Sequence, residues 1–463
     1  MVNLPELAPS AISGLWLVEL DLRQDARGWF EESWQRAKLE SAAASNFWPL
    51  QQNISFNESK GTLRGLHAEP WDKYVTVASG RAFCAWVDLR PGDGYGKVQT
   101  ATLQPGRGAF IPCGVANGYQ TLEDKTSYVY LVNGHWDSTE TYPAVDPFDP
   151  ILGIAWPLSS SESKVSDKDL ANPPFQQSPE VPARSGYIFG ADGQLGRQLK
   201  RDFPSLSPLS RSDCDLAQAS AVRNLKFNSS TILINSAAYT AVEEAQTPSG
   251  ISRAFSANVS GVKSLAVAAL RSGSTLVHYS TDYVFDGMKD AAYTASDALN
   301  PVNVYGLSKA AGEEIASLNP KTYIIRTSWV FGDGENFVVK MIRKALELTP
   351  LDVVADQFGR PTSTITLSEA TRNLLETRQP FGVYHVTNSG PLASWYEVAC
   401  KVYECVGADP SLIRPAATDT KPGAAARPPN SNLGISNLPG IHFRDWRTDV
   451  AQFVEKWLKT SRP

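Results

Sequence analysis

The first 170 residues run in short stretches rich in Val, Tyr, Trp and Thr, such as Lys73–Ala78, Phe83–Leu89 and Ser127–Val132. Gly- and Pro-bearing turns separate them, as in Arg90-Pro-Gly-Asp-Gly and Gln104-Pro-Gly-Arg-Gly. Short β-prone runs with regular turn signals predict an all-β sandwich or barrel. Residues 171–184 carry four prolines and no apolar periodicity, which predicts a semi-rigid linker. From 185 onward the rhythm becomes strand, turn, helix. Gly186–Phe189, Ile232–Ile234 and Leu276–Tyr279 are short apolar strands, and Leu195–Lys200 and Ala254–Leu270 have helical composition. That alternation predicts a parallel sheet covered by helices on both faces. The expected organisation is a β domain over 1–170, the linker, and an α/β domain over 185–463.

Length agrees, since 463 residues exceed what one hydrophobic core usually supports. A hydrophobic fraction of 42% and a charged fraction of 20% describe ordinary globular protein. The net charge of −5 provides no basic field, which argues against nucleic acid as the main partner. Five cysteines without a C-x-x-C pair support neither a disulfide framework nor a thiolate zinc site. The N-terminus lacks a basic segment followed by an apolar run, and no stretch approaches the roughly 20 apolar residues of a membrane span. A cytoplasmic protein is expected.

Two patterns in the second half carry chemistry. Gly190-Ala-Asp-Gly193-Gln-Leu-Gly196 follows a strand and opens a helix. Glycines there let the backbone approach a pyrophosphate, whose charge sits at the helix N-terminus. Tyr305-Gly-Leu-Ser-Lys309 places a phenol and an ammonium one helical turn apart. A neighbouring cation lowers a phenol's pKa, so Tyr305 is a candidate proton donor to a carbonyl oxygen. Ser280-Thr281-Asp282-Tyr283 follows the Leu276–Tyr279 strand, and Thr281 at its C-terminal end is placed to hydrogen-bond the same carbonyl.

With Asn235-Ser-Ala-Ala-Tyr-Thr-Ala-Val, His278-Tyr-Ser-Thr-Asp-Tyr-Val-Phe, Arg326-Thr-Ser-Trp-Val-Phe-Gly and Asp356-Gln-Phe-Gly-Arg-Pro-Thr, these stretches make residues 185–463 resemble one family. It is the dTDP-4-dehydrorhamnose reductase family of extended short-chain dehydrogenases, which implies a Rossmann fold and NADPH or NADH as cofactor. The resemblance assigns catalysis to Thr281, Tyr305 and Lys309. It assigns the dinucleotide to Gly190, Asp192, Gly193, Gln194, Leu195 and Gly196, to Ala237, Ala238 and Tyr239, and to Asp215, besides Tyr305 and Lys309. It places Arg360 and Thr362 near the substrate nucleotide, and Trp329 either lines the sugar pocket or is a core aromatic. The chain departs from the family at Phe203–Asp215, which is short and proline-broken where a clear second strand is usual. Arg211 there either meets a 2′-phosphate or is a solvated loop charge, so the choice between NADPH and NADH stays open with a lean to NADPH.

In the first half Arg64-Gly-Leu-His67 stands out in a domain with only one other histidine, His135. With imidazoles so scarce and no H-x-H pattern, no metal is expected. Abstracting a proton α to a ketone needs a base of near-neutral pKa, for which His67 suits. It also needs enolate stabilisation, for which Lys73 and Arg64 suit, and a proton source on the opposite face, for which Tyr130 suits.

Asp25-Ala-Arg-Gly-Trp-Phe-Glu31, Gln52-Asn-Ile-Ser, Gly61-Thr-Leu-Arg-Gly-Leu-His67, Val87-Asp-Leu-Arg90 and Ser166-Asp-Lys-Asp169 make residues 10–170 resemble a second family. It is the cupin-fold dTDP-4-dehydrorhamnose 3,5-epimerase family, which implies a jelly-roll barrel. The resemblance makes His67 the base, Asp169 its orienting carboxylate and Tyr130 the opposing acid. Substrate contacts fall to Arg27, Glu31, Gln52, Asn53, Arg64, Lys73 and Asn117. Asn117-Gly-Tyr119 stands where the family has His-Gly-Phe, and Glu69 where it has Gln.

Together the halves imply two consecutive steps of dTDP-L-rhamnose synthesis: inversion at C3 and C5 of dTDP-4-dehydro-6-deoxy-D-glucose, then NAD(P)H-dependent reduction of the 4-ketone. The partners expected are dTDP-sugars and a second copy of the barrel. The rival reading is an active reductase attached to a non-catalytic sugar-nucleotide-binding or dimerisation barrel.

Overall fold

The computed structural model describes residues 6–35, 47, 49–134, 142–181, 185–218, 220–227, 230–419 and 423–460. The chain forms two compact units, one of Met1–Ser185 with Phe227–Thr231, the other of Gly186–Lys226 with Ile232–Pro463.

In the first unit a six-stranded antiparallel sheet runs in the order Glu6–Pro9, Trp16–Glu19, Arg107–Ile111, Lys73–Ser79, Thr126–Val132, Gln51–Asn57. A second antiparallel sheet runs Leu63–His67, Val115–Thr121, Ala82–Asp88, Val98–Leu103. Val75, Val77, Trp86, Tyr119 and Tyr128 fill one buried core cluster. This is the double-sheet arrangement of a jelly roll, in which alternate side chains of each strand point inward.

Residues 171–181 correct the linker expectation. Phe175 stacks on Tyr95 with ring centroids 5.0 Å apart, and buried Val181 donates its backbone N–H to Leu89 O at 2.8 Å. The segment makes a single helical turn at Phe175–Gln177, and Phe175 and Val181 pack into the barrel's apolar cluster, which a composition count overlooks. The remaining linker residues, 182–184, and His135 lie outside the described residues.

The second unit is built on a parallel sheet in the order Ser207–Leu209, Gly186–Phe189, Ile232–Asn235, Thr275–Thr281, Thr322–Thr327, Gly382–His385. The chain leaves Gly186–Phe189 to one side for Ser207–Leu209 and returns on the other for Ile232–Asn235. That reversal is a topological switch point, where the C-terminal ends of parallel strands open a crevice. The weak second strand does form, as three edge residues in which Pro208 is tolerated.

Helical Pro248–Ser272 contains a π-turn at Ser256–Gly261. Asn258 within it binds both backbone groups of Tyr239 and donates to Ser308 Oγ at 2.9 Å, tying the loop after Ile232–Asn235 to the helix Val304–Ala316. No helix among the described residues is long and apolar enough to cross a membrane.

Candidate active sites

His67 ends the strand Leu63–His67, and its Nε2 lies 2.9 Å from Asp169 Oδ1. Asp169 comes from the short helix Asp167–Leu170, whose cap Ser166 accepts the Asp169 N–H. Its other oxygen accepts the Gly65 N–H at 3.3 Å. Burial pushes the Asp169 carboxyl up, but the hydrogen bond and charge of His67 and the Gly65 N–H outweigh it and hold it below the usual range. An ionised carboxylate at Nε2 stabilises the tautomer protonated there, leaving Nδ1 as the basic nitrogen.

Around this pair stand the other polar groups of the barrel mouth. Lys73 is buried, paired with Glu69, and lies 5.9 Å from the centre of the Tyr130 ring. For Glu69 too burial raises the pKa, yet the Lys73 ammonium and His67 bring it below normal. Burial first, and the Glu69 charge second, raise the pKa of Tyr130, so the phenol keeps its proton. Exposed Arg64 donates from Nε to Asn57 Oδ1 at 3.1 Å.

Asn117 sits directly across from His67 in the sheet. Its amide oxygen accepts from Trp86 Nε1 at 2.9 Å and from Tyr128 OH at 3.2 Å, so this oxygen braces the site wall. Gln52 and Tyr130 line one cavity of about 200 Å³. Asn53, paired with Tyr130 across the strands, accepts from Gln51 at 2.7 Å. Arg27 and Glu31 belong to the hairpin Leu22–Glu31. Their hydrogen bonds run to Asp25 and to Gly106 N rather than to the His67 cluster.

In the second unit the glycine turn lies at the switch point. Gly190 has φ +75°, and a Cβ there would sit 2.7 Å from the Ala237 backbone. A Cβ at Gly196 would sit 2.1 Å from Gly190 O. Both glycines are thus needed for strand, turn and helix to close up. Gly193 starts the helix Gln194–Asp202 without any side-chain cap, leaving first-turn N–H groups open to an anion.

Leu195 packs on the sheet core, Asp192 is exposed, and Gln194 Oε1 is buried without a partner. Ala237 is half-buried, Ala238 exposed, and Tyr239 OH donates to Glu244 at 2.7 Å. Asp215 pairs loosely with Arg211 at 3.7 Å, and both line an open hollow beyond Ser207–Leu209.

A cavity of about 350 Å³ adjoins this turn, lined by Gln194, Thr281, Asp282, Tyr305, Trp329 and Trp395 among others. Asn303 caps the helix that presents Tyr305 and Lys309, its Oδ1 accepting the Gly306 N–H. Lys309 donates to Tyr279 O at 2.6 Å. Burial lowers its pKa to about 8, against an opposing pull from Glu313. The expected lowering of Tyr305 does not occur. Burial raises its phenol well above the ordinary value, and the Thr281 hydrogen bond only partly offsets this. The low polarity that weakens Lys309 as a cation keeps Tyr305 protonated, which is the form a donor needs.

Trp329 stacks on Trp395 at 3.7 Å, packs on the neighbouring apolar core and also lines the cavity. The Arg360 guanidinium binds Gly390 O, Asn432 and Leu433 O, and Thr362 is fully buried with its N–H on Trp329 O. Thr362 thus holds the Trp329 backbone, Arg360 ties its loop to the segments at Gly390 and Asn432, and neither is among the residues lining the cavity. Asn258 and Trp395 escaped the sequence reading. The only signal for Asn258 was a polar residue inside an apolar helical run, and for Trp395 there was none.

A family model described as "RmlD substrate binding domain" matches residues 186–459, and one described as "dTDP-4-dehydrorhamnose 3,5-epimerase" matches residues 9–177. The chain belongs to both families. The reductase half is 38% identical to a dTDP-4-dehydrorhamnose reductase of Aggregatibacter actinomycetemcomitans, over 56% of this chain and 95% of that protein. The epimerase half is 44% identical to a "Protein RmlC homolog" of Streptococcus pyogenes, over 34% of this chain and 84% of that protein. Among solved structures, a dTDP-4-dehydrorhamnose reductase from Bacillus anthracis in complex with NADP is 33% identical. It covers 59% of this chain and 99% of its own, with a TM-score of 0.54. A bifunctional epimerase–reductase thus has each centre within its own compact unit.

Proposed function

We propose that the two sites act in series on one sugar nucleotide. The barrel epimerises dTDP-4-dehydro-6-deoxy-D-glucose at C3 and C5, and the α/β unit reduces the resulting 4-ketone to dTDP-L-rhamnose. The observation that carries the first step is the His67–Asp169 contact at 2.9 Å beside a protonated Tyr130 and the Lys73 ammonium. His67 takes the proton α to the ketone, Lys73 stabilises the enolate, and Tyr130 returns a proton on the opposite face. Arg64, Gln52, Asn53 and Asn117 shape the nucleotide-sugar pocket, with Arg27 and Glu31 contributed from the hairpin.

The glycine turn fits a dinucleotide: two glycines admit no side chain, and the third leaves a helix start uncapped. Gly190–Gly196, Ala237–Tyr239 and Lys309 would hold it, with Arg211 and Asp215 at the adenosine end. NADPH, when bound, supplies the hydride that reduces C4. Tyr305 delivers the proton to the ketone oxygen, and Trp329 walls the sugar. NADPH consumption by the purified chain alone, supplied with dTDP-4-dehydro-6-deoxy-D-glucose, tests the reading. Silence relieved by adding an independent epimerase would make the barrel a binding module.

Lys309 carries a pH prediction. Its pKa is depressed, so the ammonium is fully present well below pH 8 and is lost as pH rises through about 8. NADPH affinity, measured by fluorescence titration, should fall across that interval. Lys309→Gln should bind weakly at every pH and lose the inflection. An unshifted wild-type affinity to pH 9.5 would refute the assignment.

The barrel is proposed to dimerise with a second copy. Gln51–Asn57 is an edge strand on which Ile54 and Phe56 are 67% and 54% exposed, an apolar edge that invites pairing. Light scattering should give twice the chain mass, and Ile54→Lys with Phe56→Lys should give the monomer. Five free cysteines suit a reducing, cytoplasmic setting.

A further inference from the structure

The Thr281 hydroxyl has one proton, and it is already committed. Thr281 Oγ1 donates to Asp282 Oδ1 at 2.8 Å and accepts the Tyr283 N–H at 3.2 Å. It also lies beside the Tyr305 phenol on the wall of the same cavity, close enough to favour the ionised form of that phenol. While Asp282 is ionised, Thr281 cannot give its proton both to that carboxylate and to a substrate carbonyl. Asp282 itself is 3% exposed, lines the cavity, and has its second oxygen buried without a hydrogen-bond partner. An orphaned carboxylate oxygen inside a reaction cavity, one hydroxyl away from the proton donor, is a costly arrangement for packing alone.

We propose that Asp282 stores the proton that re-arms Tyr305, passing it through the Thr281 hydroxyl during ketone reduction. The proposal rests on the reductase reading above. As the ketone is reduced by NADPH, the Tyr305 O–H bond breaks and the alcohol O–H bond forms. In the same step Tyr305 Oη takes the Thr281 hydroxyl proton, and Thr281 Oγ1 takes the proton of the Asp282 carboxyl. The Asp282 carboxylate is recharged from water when the cavity opens. Atoms and charge balance, and the net consumption is one solvent proton for each ketone reduced.

The surroundings suit a carboxyl group that holds its proton. Burial lifts Asp282 to about 6, with the nearby Ser431 hydroxyl and the hydrogen bond from Thr281 opposing the rise. The groups that face it are Tyr305 from the helix Val304–Ala316, Ser431 from the segment after Pro429, and its own neighbour Tyr283. Arg427 and Glu243, of opposite sign, act on Tyr283. No cation is among the main influences on Asp282, and only neutral hydroxyl and backbone N–H groups favour its ionised form. Asp282 acts through Thr281 and is therefore a positioning and relay residue.

The test has one arm without turnover and one with it. In the unliganded chain carrying ¹³C-labelled aspartate, one carboxyl signal should titrate near pH 6 and vanish in Asp282→Asn. A signal that titrates in the ordinary aspartate range would overturn the proposal, whatever the enzyme turns over. In single turnovers of the wild-type chain preloaded with NADPH, the reduction rate should fall as pH rises through about 6. In mixtures of light and heavy water it should bow below a straight line, because more than one proton moves.

Asp282→Asn keeps a hydrogen bond to Thr281 but carries no transferable proton. It should lose about tenfold at pH 6, less than the 10²–10⁴-fold contributed by a group that transfers its proton directly to substrate, and show a flat pH profile. A linear wild-type response to heavy water, or a variant with the wild-type pH profile, would sink the relay. If the wild-type chain reduces no ketosugar at all, the reductase reading fails and the carboxyl titration still decides Asp282.

Discussion

His67→Ala is expected to abolish exchange of solvent deuterium into C3 and C5 of the sugar nucleotide when no reductant is present. A positioned general base contributes about 10²–10⁴-fold, and His67 is the only histidine among the described residues of the barrel. The same variant should stop NADPH consumption by the chain, because its reductase then receives no epimerised substrate. Adding an independent epimerase should restore that consumption, which shows that the α/β unit is intact, and an unchanged circular-dichroism spectrum would separate loss of the base from misfolding of the barrel. Exchange that persists in His67→Ala would remove the imidazole from the mechanism.

Asp169→Asn should cause a smaller loss through the same imidazole. An amide at 2.9 Å presents a donor as well as an acceptor to Nε2 and no longer selects the tautomer. The Asp169 carboxyl is held below its usual range, so its charge is present at neutral pH and lost only in strong acid. Acid loss of epimerisation nearer neutrality must then come from another group.

Tyr305→Phe is the complementary experiment. It removes one hydroxyl while keeping the ring that packs edge-on against Tyr283 at 5.7 Å. Ketone reduction should fall by about 10²–10⁴-fold, because the proton for the alkoxide has no positioned donor. Deuterium exchange should continue at the wild-type rate, since the barrel centre is untouched, and NADPH should still bind. Because burial raises the phenol's pKa, wild-type reduction should not lose its donor to deprotonation up to pH 9. A Phe variant that reduces the ketone at the wild-type rate would show that water or Thr281 supplies the proton.

The two centres were legible to different degrees. Helical spacing alone predicts that Tyr305 and Lys309 share a face, because the geometry is local to five residues. The turn Gly190–Gly196 was readable for the same reason, and a Cβ at Gly190 or Gly196 would come within 2.7 or 2.1 Å of neighbouring backbone. The His67–Asp169 contact joins residues over a hundred positions apart, so no spacing rule reaches it. Only resemblance to a family pointed there. Asn258, Trp395 and the orphaned oxygen of Asp282 were invisible because their roles depend on what the fold packs against them.

By itself the sequence determined the two-part architecture, the parallel sheet after residue 185, the glycine-lined turn and the Tyr-Lys helix. Each is a matter of short-range periodicity and of which side chains a backbone tolerates. Tertiary structure decided that residues 171–181 pack on the barrel, that Asn117 braces a wall, and that Trp329 lines a cavity. It also decided the protonation states, raising Tyr305 and Asp282 and lowering Lys309. The physical reason is desolvation: the cost of a charge depends on the groups and water around it, and folding alone brings those neighbours together.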